Sequence, residues 1–319
     1  MNIWNNYNFI ENKTFIKQKV IQVRTFHILK HYFDFISLDK RTILYIYFIK
    51  AEVLGKKLGI VEIHGRDANG KPIKLSKSFF NYNDPLNTGM VIGNNVFEQN
   101  CNSSQINMSI DNTKLDLTYS RIGTPWKVAK DSVIMQNNVN KFIKWSVEQP
   151  SSNVSGRISM NNVTEKISGL GYHDVVEMNI APWKIPIKRI YWGRAQCGLY
   201  NVVYNIVISR KGKIFKYLMV QQGGINVIQP DSFELTESDN ETKITGAGIC
   251  LKLGHLENIE NSKIADRSRI HSAIMRFFLN VTGGEPVEKK YYSSAELYYE
   301  NKKHYGDAIH EMVLWNGGN

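Results

Sequence analysis

The sequence is poor in cysteine and contains no long apolar run. Its three cysteines, Cys101, Cys197 and Cys250, lie far apart and form no CxxC pair. This argues against a disulfide framework and a structural zinc site, and it favours a reducing compartment. No run of about eighteen apolar residues is present, so no membrane-spanning helix is predicted. The N-terminus also lacks the basic, apolar and small-residue order of a secretory signal. These absences predict a cytoplasmic protein, with peripheral membrane association as the alternative.

The charge is strongly positive but scattered. The formal net charge is +11, with 42% hydrophobic and 22% charged residues, a composition typical of a globular protein. Clustered lysine and arginine would indicate nucleic-acid binding. Here the cations are dispersed, and no zinc-finger, helix-turn-helix or RNP-type motif occurs. We therefore expect no nucleic-acid partner. The excess positive charge would instead keep the protein surface solvated or attract it to an anionic membrane surface.

Nucleotide and metal motifs are also missing. Gly65–Lys71 has the spacing of a P-loop, but Pro72 occupies the Ser/Thr position and a strand is predicted after it. Gly246-Ala-Gly248 lacks the βαβ context of a dinucleotide fingerprint. His27 and His31 are four residues apart, but no carboxylate or cysteine accompanies them as in HExxH. The sequence therefore predicts neither a cofactor nor a metal ion.

The chain consists instead of a dense succession of short strand-like segments. From Thr42 onward these segments are bounded by turn residues, as at Asn69-Gly70 and in Arg210–Gly212. Lys13–Phe33 is the exception, because its apolar residues have mostly helical spacing. We expect an all-β protein, a barrel or sandwich in two parts, preceded by a short N-terminal helical extension.

The most informative stretch is Gly169–Arg194. It combines two tryptophans, two carboxylates, a histidine and an arginine between glycines and prolines. Such a density indicates the wall of a site, where aromatic faces hold an apolar molecule and a few ionisable groups act on it. The candidate site residues in this stretch are Tyr172, His173, Asp174, Glu177, Trp183, Trp192 and Arg194.

The sequence GLGYHD of Gly169–Asp174, with Pro182-Trp183 and Trp192-Gly193-Arg194 after it, resembles the signature of a lipocalin-like superfamily. This superfamily includes bacterial carotenoid hydratases (hydroxyneurosporene synthases), with plant tocopherol cyclases and fungal Diels–Alderases as more distant relatives. Hydratases of the family read roughly YxDHNWG, whereas Val175 follows Asp174 here. The resemblance implies two lipocalin-like antiparallel β-barrel or sandwich domains. We place them at residues 34–182 and 183–319, after an extension of residues 1–33.

The resemblance also assigns roles. In the family the aspartate of this motif is the carboxyl group implicated in catalysis, which points to Asp174. On an extended strand Tyr172 and Asp174 share one face, and His173 and Glu177 share the other. A bulge further along could turn Glu177 back inward, so Glu177 is a second catalytic candidate.

A buried aspartic acid among aromatic rings suits cofactor-free proton chemistry. Burial keeps the group protonated, so that it can protonate an apolar, isoprenoid or polyene-like substrate for hydration, cyclisation or isomerisation. Tyr172, His173, Trp183, Trp192 and Arg194 would bind the substrate. Arg194 could position a polar substrate group, pair with Asp174 or form a structural ion pair. A non-catalytic carrier of a lipid or pigment is the alternative function.

Overall fold

The computed structural model describes residues 26–53, 55–80, 82, 89–127, 141–181, 184–230, 232–263 and 286–315. These residues form twenty β-strands and no α-helix, so the predicted all-β fold is confirmed. None of the described segments is a helix with the length and apolarity that a membrane crossing requires.

The first eleven strands form one antiparallel sheet that curls until it nearly closes into a barrel. The strands are β1 Phe26–Ser37, β2 Ile43–Val53, β3 Lys56–Arg66, β4 Pro72–Phe80, β5 Gly89–Ile92, β6 Asn95–Gln99, β7 Ser103–Ile110, β8 Thr113–Arg121, β9 Trp126–Lys127, β10 Ile143–Met160 and β11 Val163–Met178. Their order in the sheet is β4-β3-β2-β1-β11-β10-β8-β7-β6-β5, and β9 pairs with β10. The long strands β10 and β11 therefore lie in the middle of the sheet.

The remaining nine strands form a second antiparallel sheet, which has the shape of a half-barrel. They are β12 Ile187–Cys197, β13 Tyr200–Ser209, β14 Ile214–Gln222, β15 Ile225–Ile228, β16 Glu234–Glu237, β17 Glu241–Gly246, β18 Ile249–Lys263, β19 Pro286–Tyr299 and β20 Lys302–Trp315. Their order is β15-β14-β13-β12-β20-β19-β18-β17-β16. The change from one sheet to the other falls between Met178 and Ile187, and the domain limits 34–182 and 183–319 stay a prediction.

Each sheet buries one face in its own core, and part of the opposite face packs against the other sheet. In β8, Leu115, Leu117 and Tyr119 alternate with polar residues and point into the first barrel, as the two-residue period of a strand requires. The second sheet has a similar core around Tyr204 and Leu251. A third cluster contains aromatic residues of both sheets: Tyr32, Tyr45, Tyr47, Trp126, Trp145, Tyr172, Trp192 and Tyr292. This inter-sheet cluster holds the candidate site.

The predicted N-terminal helix is wrong where the structure describes it. Phe26–Phe33 belongs to strand β1, which pairs with β2 on one side and β11 on the other; the rest of the predicted extension, residues 1–25, lies outside the described residues. Positions four apart share a face in a strand as well as in a helix, so the spacing of His27 and His31 fits both periods. The flanking strands β2 and β11 supply hydrogen-bond partners for the backbone of β1, and the fold buries side chains on both faces of this strand. These interactions outweigh the local helical preference.

Candidate active site between the two sheets

Strand β11 carries the central motif and distributes its side chains over two faces. Gly169 and Gly171 lie against the interior of the first barrel, where the backbone has no room for a larger residue. A Cβ atom at Gly171 would lie 2.5 Å from the Tyr119 ring and 2.8 Å from the carbonyl oxygen of Asp34. This close packing fixes which face of β11 lies against the first barrel. Because side chains alternate along a strand, Tyr172 and Asp174 face the second sheet.

Asp174 is buried and is held by neutral donors. Its Oδ2 atom accepts hydrogen bonds from Trp145 Nε1 at 2.9 Å and from the Tyr172 hydroxyl at 3.0 Å. Among the described residues Oδ1 has no hydrogen-bond partner, and no cation forms a salt bridge with the carboxyl group. Burial raises the pKa of Asp174 to about 6. The Lys30 charge and the two hydrogen bonds to Asp174 lower the pKa by a smaller amount. The carboxyl group can therefore carry a proton on Oδ1 near neutral pH.

Aromatic rings of both sheets pack beside Asp174. The Trp192 ring lies edge-on to Tyr172 and to Tyr32, with a centroid separation of 5.3 Å in each case. Trp145 packs edge-on against Trp126 at 5.5 Å. Rings in this arrangement exclude water and present π-faces that attract a cation.

Arg194 forms an ion pair with Asp34. Both residues are buried, and the guanidinium donates two hydrogen bonds, from Nε to Oδ2 at 3.2 Å and from Nη2 to Oδ1. Burial raises the pKa of Asp34, while the charge and hydrogen bonds of Arg194 oppose this shift. Of the three alternatives for Arg194, the structure shows an ion pair across the two sheets, with a partner other than Asp174.

A second buried cation, Lys290 of β19, lies in the same interface. Its Nζ donates to Tyr47 Oη at 2.9 Å and lies 2.8 Å from Glu311 Oε2 and 3.1 Å from Glu288 Oε1. Burial lowers the pKa of Lys290, but Glu311, Tyr47 and Glu288 outweigh it and hold the pKa well above its usual value. The rings of Tyr32, Tyr45 and Tyr47 surround the ammonium group at 4.7, 4.5 and 5.5 Å from their centroids.

Two of the predicted site residues lie on the opposite face of β11. His173 is stacked on Phe33 at 4.0 Å inside the first barrel and exchanges a hydrogen bond with His31 at 3.0 Å. Glu177 pairs with His27 at 2.9 Å. No bulge turns Glu177 towards Asp174, because β11 pairs regularly with β1 through Met178. The structure therefore brings together Tyr172, Asp174, Trp192 and Arg194, whereas Trp183 lies outside the described residues.

Several residues of this interface were not among the sequence candidates. Tyr32 was missed because it lies in Lys13–Phe33, which was predicted to be helical, and Asp34 lies outside the stretch Gly169–Arg194 that supplied the candidates. The only available signal for Lys290 was a lysine pair within a strand-like, tyrosine-rich segment. Glu311 and Trp145 also lie at this interface, although neither was among the sequence candidates.

The titration of Asp174 predicts a pH-dependent effect of Asp174→Asn on stability. The native state retains a proton that the unfolded chain releases between pH 3.8 and about 6, so the Asp174 contribution to the unfolding free energy falls as pH rises through this window. Relative to the wild type, the Asn variant should gain on the order of 3 kcal/mol between pH 3.5 and 7. Urea unfolding of both proteins across this range measures the gain, and a constant difference would contradict the raised pKa.

Sequence comparison finds one curated relative over part of the chain. No protein-family model matches. A stretch of 88 residues is 35% identical to the quinolone epoxide rearrangement protein asqO of Emericella nidulans. The match covers 26% of this chain and 24% of that protein, so the chain spans about a quarter of the relative's length.

Solved structures share the fold over nearly the whole chain. An AttH-like protein of Nitrosomonas europaea superposes with a TM-score of 0.63 at 11% identity, covering 92% of this chain and 93% of the other. CghA gives 0.61 at 11% identity, with 92% and 89% covered. Kievitone hydratase of Nectria haematococca gives 0.59 at 11% identity, with 90% and 88% covered. At 11% identity these matches show a shared fold, which agrees with the two-part β architecture that the resemblance implied.

Proposed function

We propose that the protein is a cofactor-independent enzyme in which Asp174 protonates a small, largely apolar molecule. The observation that carries this proposal is the contrast between two buried aspartates of one interface. Asp34 has Arg194 as its counter-ion, whereas within the described part of the chain Asp174 receives hydrogen bonds only from the neutral groups of Trp145 and Tyr172. Neighbouring carboxyl groups with different electrostatic environments are a frequent feature of acid–base sites.

The two oxygens of Asp174 have different roles in the proposed reaction. Because Oδ2 accepts from Trp145 and Tyr172, the proton belongs on Oδ1, where it is available to a substrate. Transfer of this proton to an alkene carbon or an epoxide oxygen develops a cation on the substrate. The rings of Tyr172 and Trp192 would stabilise that cation by roughly 1–2 kcal/mol each. Water or an internal nucleophile then captures it, which gives hydration, cyclisation or rearrangement.

The substrate class follows from the surroundings of Asp174 and from the relatives. The aromatic interface favours a hydrophobic small molecule, for which the family resemblance suggests an isoprenoid or polyene. Kievitone hydratase and the quinolone epoxide rearrangement protein indicate, by their names, ring systems that carry oxygen. The first substrates to test are therefore a quinolone epoxide, kievitone and neurosporene. Cytoplasmic localisation and membrane-surface contact stay predictions.

The experiment that tests the function follows conversion of these three compounds in D₂O buffer by mass spectrometry. We expect one of them to give a product, and an alkene substrate should carry deuterium at the carbon that receives the proton. Because the reactive form of Asp174 is protonated and its pKa is raised to about 6, kcat should fall about tenfold per pH unit above that value. A rate that is constant or rises between pH 6 and 8 would contradict the assignment of Asp174 as the acid.

The second candidate function is a non-catalytic carrier. It is favoured by the departure from the hydratase pattern, since Val175 and Val176 follow Asp174 where those enzymes have His-Asn. A carrier would bind one of the three compounds and release it unchanged at every pH, whereas an enzyme would convert it.

A further inference from the structure

Glu311 faces the same interface as Asp174 but belongs to the opposite sheet. It lies on β20 beside Trp192, its register partner on β12, and Trp192 in turn contacts Tyr172. The side chain of Glu311 retains 18% exposure, whereas that of its neighbour Lys290 retains 1%. The Glu311 carboxylate is therefore the more accessible member of the pair and is separated from Asp174 by aromatic side chains of the candidate site.

We propose that Glu311, held in place by Lys290, is the base that accepts a proton from the attacking water while Asp174 supplies one to the substrate. This inference rests on the proposed function of Asp174 and adds a second catalytic group to it. Lys290 positions the carboxylate through the 2.8 Å contact and is itself fixed by Glu288 and by the Tyr47 hydroxyl.

The balance of protons requires such a group. In a hydration, the O–H bond of Asp174 breaks as a C–H bond forms, and the substrate becomes a cation. The oxygen of water then forms a C–O bond, and one of its O–H bonds breaks as the proton passes to Glu311. The alkene and water have become an alcohol, Asp174 is ionised and Glu311 is protonated. One proton transfer from Glu311 to Asp174, directly or through water, restores the starting state.

The two carboxyl groups differ in the charges that surround them. Burial raises the pKa of Glu311, and the Lys290 charge opposes that shift most strongly. A cation in contact with Glu311 thus stabilises its ionised form, whereas the Lys30 charge that opposes the shift of Asp174 forms no salt bridge with that carboxyl group. Glu311 is also among the charges that raise the pKa of Asp174, so the two carboxyl groups interact electrostatically between the sheets. Among the described residues, the ionisable groups that face the pair include Lys30, Tyr32 and Asp34 of β1, Tyr47 of β2, Tyr172 of β11, Arg194 of β12, and Glu288 and Lys290 of β19.

The test uses three variants of the full chain: Glu311→Gln, Glu311→Asp and Glu296→Gln. The last is the matched control, because Glu296 lies on β19 and pairs with the exposed Lys303. In ¹³C NMR titrations of the carboxyl groups, Glu311→Gln should lower the titration midpoint of Asp174, because a neighbouring negative charge is removed. Glu311→Asp and Glu296→Gln should leave that midpoint close to the wild-type value. A midpoint unchanged in Glu311→Gln overturns the inference, whether or not a substrate is known.

Hydration of kievitone or of neurosporene gives the second readout, because a hydration contains the attacking water that Glu311 is proposed to deprotonate. Glu311→Gln should lower kcat by about 10²-fold, the lower end of the usual contribution of a general base, and should remove the rise in rate on the acidic side of the pH profile. Glu311→Asp should recover part of the loss, and it is also the variant to use if Glu311→Gln does not fold. Wild-type kcat in Glu311→Gln, with turnover lost in Asp174→Asn, refutes the role of Glu311 alone. Turnover retained in Asp174→Asn refutes the proposed function itself.

Discussion

Asp174→Asn is expected to lower kcat on a convertible substrate by about 10²- to 10⁴-fold, the range in which a general acid usually contributes. The amide has nearly the shape of the carboxyl group, and its oxygen can still accept from Trp145 and Tyr172. It has no acidic proton to give. Binding of the same compound, measured by quenching of tryptophan fluorescence, should change little, because the surrounding rings are retained.

Glu177→Gln is the matched control for that variant. Glu177 lies three residues further along β11 but on the opposite face, where it pairs with His27. The turnover of the Glu177→Gln variant should equal that of the wild type. Loss of activity in Glu177→Gln, or wild-type activity in Asp174→Asn, would refute the assignment of the acid.

The largest effect on stability is expected for Arg194→Met. This change leaves the Asp34 carboxylate buried without a counter-ion, which typically costs about 3–5 kcal/mol. Adding Asp34→Leu should recover much of the loss, because an ion pair replaced by apolar groups of similar size is often nearly neutral. Chemical unfolding of the two single variants and the double variant gives the coupling free energy between the residues.

Lys40→Met provides the exposed comparison for Arg194→Met. Lys40 pairs with Asp307 at 2.9 Å, but the lysine side chain is 55% exposed. Loss of such a pair should cost less than about 1 kcal/mol. Equal destabilisation by Lys40→Met and Arg194→Met would contradict the buried ion pair between the sheets.

The sequence allowed prediction of the parts of the fold that depend on local chemistry. Two hairpins were expected from their turn residues, and the structure has both, with Gly70 and Gly212 at positive φ. The separation of Asp174 from His173 onto two faces followed from the period of a strand. The strand β1 was missed because its spacing fits a helix equally well, and only its pairing with β2 and β11 decides between the two.

The ion pairs of the interface could not be predicted from one sequence. Arg194 and Asp34 are 160 residues apart, and Lys290 and Tyr47 are 243 residues apart. Their contacts arise only when two separately formed sheets pack face to face. Asp174 could be singled out because a short motif surrounds it, whereas Glu311 becomes a candidate only when Lys290 and Trp192 are seen beside it.

The central claim is that Asp174, within the aromatic interface of the native protein, has a raised pKa and keeps its proton up to about pH 6. The most direct measurement is the titration of its carboxyl carbon by ¹³C NMR in the ligand-free wild type, with the signal assigned by its absence in Asp174→Asn. We predict a pKa raised from 3.8 to about 6. A midpoint at or below 3.8, the ordinary value for aspartate, would contradict the account.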